Sequence, residues 1–113
     1  MKTIPDIVNF YNDNKVFILT ENRPFFTFKD LKKQINWTKI FFTNHQILKT
    51  DTIAIVLENG PEMATCFLSV ASNFCAAPLN PLYTEFEFNF YINDLKPKGI
   101  IVSENSISPA INV

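Results

Sequence analysis

The sequence predicts an α/β fold organised around a parallel sheet, and three stretches carry the prediction. Residues 52–57 (TIAIVL) are a β-branched, apolar run without alternation, the pattern of a strand covered on both faces. Residues 74–79 and 99–102 are two further apolar runs of strand length. Between the three runs lie two segments with apolar residues at helical spacing. Strand, helix, strand, helix, strand in this order predicts consecutive parallel strands with right-handed crossovers.

The central stretch is DTIAIVLENGPEM at 51–63. Asn59 and Gly60 break the strand. Pro61 suits a first helical position, where its missing N–H is not needed, and Glu62 suits the positive end of the helix dipole. Met63, Cys66, Phe67, Val70, Ala71 and Phe74 follow on one face. Asn73 stands where that helix should stop, and a left-handed conformation is expected there.

The flanking elements read in chain order. Thr3 is a candidate cap for a short helix with Pro5 in its first turn, ending near Tyr11. Residues 16–19 and 25–27 predict a hairpin with Asn22, Arg23 and Pro24 in its turn. Thr27 and Asp30 form a capping box with Asp in the usual Glu position. The long helix that follows carries Leu31, Ile35 and Phe42 on one stripe, with Lys29, Lys32 and Lys33 outside it. Trp37, Ile40 and Phe41 lie off the stripe, on surface that this chain does not obviously cover. Asn80 and Pro81 close the second strand. Thr84 and Glu87 form another capping box, and Phe88, Tyr91, Ile92 and Leu95 share the inner face, widened by Phe86 and Phe90. Lys96 to Gly99 end that helix before the third strand. Ser108 and Pro109 look like the start of one more helix. The fold class is thus α/β, the start of a Rossmann-like parallel sheet preceded by a short helix, a hairpin and a long helix.

Composition narrows the functions. Net charge is −1 with lysines scattered, so no basic stripe marks a nucleic-acid surface. No run approaches the roughly 20 apolar residues that span a membrane. The start of the chain lacks the apolar segment of a signal peptide, which predicts a soluble, cytoplasmic protein. Cys66 and Cys75 have no metal-ligand spacing and are expected as buried free thiols. Only two glycines occur, Gly60 and Gly99. Phosphate-cradling loops bring several glycines together so that backbone amides can approach the anion, and this chain cannot build one.

Individual polar residues have plain structural readings. His45 is the only histidine and sits near a helix end, where a cation is favourable. Glu85 and Glu87 are two apart at a helix start and do not converge, so capping explains them better than acid–base chemistry. Asn80 and Tyr83 read as turn and packing residues rather than ligand contacts. No catalytic, cofactor-binding or metal-binding residue is assigned.

Three segments carry a family resemblance. DTIAIVLENGPEM at 51–63, AAPLNPLYT at 76–84 and EFNFYINDL at 87–95 resemble the N-terminal region of AMP-forming acyl-CoA synthetases, with TFKDL at 27–31 similar to the family's T-Y-x-E-L. The AAPLNPLYT segment is most similar to the oxalate–CoA ligase-like branch of these adenylate-forming enzymes. The resemblance implies a two-step reaction. A carboxylate attacks the α-phosphate of ATP to give an acyl-adenylate, and coenzyme A then displaces AMP. ATP, Mg²⁺ and coenzyme A are implied for a full-length enzyme, with a small carboxylic acid as substrate, and none for residues 1–113 alone. The family's Ser/Thr/Gly-rich loop ending in Pro-Lys and its catalytic lysine have no counterpart here. Residues 1–113 are therefore expected to be a truncated N-terminal subdomain, inactive alone, whose partner is the remainder of the parent enzyme. The resemblance also admits a peroxisomal location for a full-length eukaryotic form. Gln46, Thr50 and Asn73 replace glycines common in the family, and Thr38 replaces a common aliphatic. Such departures motivate the alternative of a degenerate fragment or a non-catalytic binding module of the same fold. A peptide-synthetase adenylation fragment is the alternative enzyme.

Overall fold

A computed structural model of the chain describes residues 3–11, 13, 15–18 and 26–103. Helix α1 spans Ile4–Phe10, opened by the Thr3 hydroxyl, which accepts from the Asp6 amide at 3.2 Å. Strands β1 (Val16–Ile18) and β2 (Phe26–Thr27) pair antiparallel as the expected hairpin. The turn read at Asn22, Arg23 and Pro24, and the helix start read at Ser108 and Pro109, lie outside the described residues.

Helix α2 spans Phe28–Asn44 and begins with the expected capping box. The Thr27 hydroxyl accepts from the Asp30 amide at 3.3 Å, and the Asp30 carboxylate accepts from the Thr27 amide at 3.0 Å. That backbone hydrogen bond from Thr27 holds the Asp30 carboxyl below its ordinary pKa. Leu31 and Phe42 are buried on the inner stripe, and so is Thr38. Trp37, Ile40 and Phe41 are exposed, with the Trp37 and Phe41 rings stacked at 5.0 Å.

The α2 C-terminus corrects the expectation for Asn73. Gln46 and Lys96, not Asn73, take the left-handed conformation, with φ 65° and 48°. The Gln46 amide donates to the Thr43 carbonyl and the Ile47 amide to the Phe42 carbonyl. This is the Schellman arrangement, which usually holds glycine at that position, and Ile47 packs on the core with Phe42. At Asn73 the helix instead unwinds through an ordinary turn, with the Asn73 and Phe74 amides both donating to the Val70 carbonyl. A left-handed non-glycine residue costs about 1–2 kcal/mol. Gln46→Gly is expected to raise stability by about 1 kcal/mol in urea unfolding. A fall in midpoint would show that Gln46 is held by contacts outweighing its strain.

The main sheet has three strands in the order β4-β3-β5, all parallel. Strand β3 is Thr52–Val56, β4 is Cys75–Pro78 and β5 is Gly99–Val102. Helix α3 (Pro61–Ala71) links β3 to β4, and helix α4 (Glu85–Leu95) links β4 to β5. The first crossover steps from β3 out to β4 and the second returns across β3 to β5, so their helices cover opposite faces. Alternate residues of β3 record this. Ile53 and Ile55 pack with Phe42, Val70 and Phe74 on the α2–α3 side. Ala54 and Val56 pack with Leu79 and Phe88 on the α4 side. All four β3 side chains are buried, as a doubly covered strand requires. A third cluster, Val8, Phe28 and Leu31, joins α1 to α2.

Exposure differs from expectation at the cysteines and on α4. Cys75 is exposed, not buried, because it lies at the start of an edge strand. Cys66 on α3 is partly buried, which pushes its thiol pKa up. Phe86 and Phe90 do not widen the inner face of α4. They stand in solvent, Phe86 at 80% exposure, because one sheet face receives only the Phe88 and Ile92 side of the helix.

Candidate functional site

The chain leaves β3 toward α3 on one face and leaves β4 toward α4 on the other. Where the two loops part, at the carboxyl ends of the strands, they leave a crevice of about 540 Å³. Ligands of open α/β sheets bind at this kind of position. Leu57, Glu58 and Asn59 form one wall, Pro78, Asn80 and Leu82 the other, and Met63 of α3 lies at the base. Gly60 sits beside it with φ 156°, outside the ordinary range of L side chains, so the turn from strand to helix requires glycine here.

The polar groups of the crevice are few. Asn80 holds its own turn. Its side-chain oxygen accepts from the Leu82 amide at 2.9 Å, and its backbone carbonyl accepts from the Tyr83 amide at 3.1 Å. Tyr83 stacks on Tyr91 at 5.0 Å and meets Phe88 edge-on at 5.5 Å. Partial burial and the neighbouring Tyr91 push the Tyr83 hydroxyl pKa up. Both residues therefore do the turn and packing work read from the sequence. Glu58 is the crevice's single charged lining residue among those described.

A triphosphate does not fit this set of groups. It needs cations or clustered amides, whereas the crevice offers one carboxylate and a single glycine. The N-terminus of α3 does not compensate, since Pro61 lacks an N–H and Glu62 places an acid in the first turn. Among the described residues no group of three His, Cys, Asp or Glu side chains is placed to hold a metal. The crevice can bound a ligand and exclude water on one side, but it brings together no nucleophile with a base.

The other singled-out residues lie elsewhere. His45 caps α2, with Nδ1 2.8 Å from the Phe41 carbonyl oxygen and its ring against Phe41. It borders Lys98 and Gly99 at the amino end of the sheet, opposite the crevice. Glu87 accepts from both the amide and the hydroxyl of Thr84 at 3.1 Å, and Glu85 is exposed in the same first turn. Glu58 was not singled out from the sequence, and Asn59 was read only as a strand breaker. Their signal is positional, since each follows a buried parallel strand, and it becomes readable only with the strand order.

Comparison with known proteins decides the family. The family described as AMP-binding enzyme matches residues 8–112. The chain belongs to the AMP-binding enzyme family. Among its AMP-binding relatives, an oxalate–CoA ligase of Saccharomyces cerevisiae is 37% identical over 102 residues, covering 84% of this chain and 19% of that protein. The chain thus spans about a fifth of the length of that AMP-binding enzyme. The anthranilate CoA ligase AuaEII, solved with anthranoyl-AMP, superposes with a TM-score of 0.79 at 18% identity, over 90% of this chain and 20% of its own. The N-terminal subdomain of Klebsiella oxytoca NpsA gives 0.75 at 20% identity, over 94% and 28%. At these identities the two structures establish the shared fold alone. No helix among the described residues is long and apolar enough to cross a membrane.

Proposed function

We propose that residues 1–113 form the opening scaffold of an ATP-dependent carboxylic acid–CoA ligase acting on a short acid of the oxalate type. The 37% identity with an oxalate–CoA ligase across 84% of the chain carries this reading. In it, β3 and the loops after β3 and β4 build one wall of a larger active site. The chain's own residues orient and desolvate, and the groups that handle ATP, Mg²⁺ and coenzyme A belong to the remainder of the parent enzyme. The ligase works in the cytoplasm or, for a full-length eukaryotic form, the peroxisome. The alternative of an independent binding module rests on exposed Trp37, Ile40, Phe41 and Phe86. The identity with the ligase favours the scaffold.

Two assays test the proposal. The purified 113-residue chain is expected to give no ATP–pyrophosphate exchange above blank. A chimera of the yeast oxalate–CoA ligase, with its matching segment replaced by residues 8–112, is expected to release AMP in the presence of oxalate and coenzyme A. A folded chimera that stays silent would overturn the ligase assignment. Exchange by the isolated chain would overturn the scaffold role.

A further inference from the structure

A groove of about 430 Å³ lies between α1, the start of α2 and the middle of α3, within the range of small-ligand sites. Ile4, Val8, Tyr11, Phe28 and Leu68 line it, and Lys15 is its one charged lining residue among those described. Val8 and Phe28 are buried and make its floor apolar. Lys15 rests its ammonium 4.9 Å from the centre of the Tyr11 ring and has no carboxylate in ion-pair range among the described residues.

Among the described residues, the neighbouring acids are engaged elsewhere. Asp13 is paired with Lys32, which also donates to the Tyr11 carbonyl at 3.4 Å. Asp30 is held by both Thr27 hydrogen bonds of the capping box. Asp6 is exposed in the first turn of α1. Phe28 opens α2, but its amide donates to the Lys15 carbonyl and that of Lys29 to the Asp13 carbonyl, so the groove's positive charge comes from Lys15 and not from the helix end.

We propose that this groove binds a small amphiphile with a single anionic headgroup and a straight apolar tail. The headgroup pairs with Lys15, and the tail lies along Phe28 and Leu68. An apolar floor gives a free acid or sulfate ester its affinity through buried methylenes, and the lone cation at the rim sets the headgroup sign. The groove is separate from the crevice at the strand ends, so this site does not depend on the ligase reading.

Equilibrium dialysis of radiolabelled decanoate against the full chain, below its micelle concentration, tests the site. One saturable site is expected. Two more methylenes, in laurate, should tighten binding roughly fifteenfold, since each buried methylene contributes about fourfold. Decanol should bind a few-fold more weakly, as it forgoes the ion pair with exposed Lys15. Lys15→Glu should weaken decanoate by about tenfold or more, and Leu68→Trp should abolish binding by filling the groove. Lys15 is exposed, so its variant keeps the fold, which circular dichroism checks. Trp37→Ser removes an exposed ring elsewhere and should change nothing. Absence of saturable binding would overturn the proposal. So would equal binding by Lys15→Glu, loss of binding in Trp37→Ser, or adsorption to phosphatidylglycerol vesicles without binding of free decanoate.

Discussion

Phe88→Ala is expected to lower stability by about 3–5 kcal/mol, the usual cost of deleting a fully buried aromatic side chain. Phe88 is completely inaccessible and forms one cluster with Ala54, Val56 and Leu79. Ala54 is small and Phe88 large, so the ring fills the space that the alanine leaves over the central strand. Neighbouring side chains cannot collapse into the vacancy, because α4 alone among the described helices covers this face. Single domains have only about 5–15 kcal/mol in total. Urea unfolding followed by far-ultraviolet circular dichroism should show a large fall in midpoint at unchanged slope. A loss below about 1 kcal/mol would mean that α4 is not held by this ring.

Leu31→Ala has the second-largest expected effect, about 2–5 kcal/mol. Leu31 is fully buried between Val8 of α1 and Phe28, with Ile35 and Leu68 packed around it. This cluster is distinct from the two that grip β3, and Leu68 is its apolar link to α3. The loss should therefore be uneven. Hydrogen exchange in Leu31→Ala is expected to free the amides of α1 while those of β3 stay protected. Equal loss of protection in both elements would show a single cooperative unit and remove the distinction.

Local chemistry was readable in the residues, and long-range order was not. Both capping boxes, at Thr27–Asp30 and Thr84–Glu87, appear as read, because each is settled within four residues. Strand β5 spans the residues read from its apolar run, and β3 and β4 differ only at their ends. The left-handed position was misplaced because Asn73 has the more suitable side chain. The turn at Gln46 is instead imposed by Ile47 returning to the core. Exposure of Cys75 follows from β4 lying at an edge, which no pattern within β4 reveals. The crevice is non-local for the same reason. Glu58 and Asn80 face one gap only because β3 and β4 are neighbours whose loops turn to opposite faces. Asn80 and Tyr83 were legible as turn and packing residues, since both hydrogen bonds at Asn80 stay within its own loop.

The placing of β3 between β4 and β5 has a consequence for birth on the ribosome. The strand emerges early, yet one of its two hydrogen-bonded borders is satisfied only by Gly99–Val102. During translation that border stays open for on the order of a few seconds, at the usual rates of chain elongation. Nascent chains are then most prone to pair with one another through the TIAIV run. Slowing elongation between α3 and β5 should thus reduce the yield of correctly assembled protein, even where the finished polypeptide is unaltered.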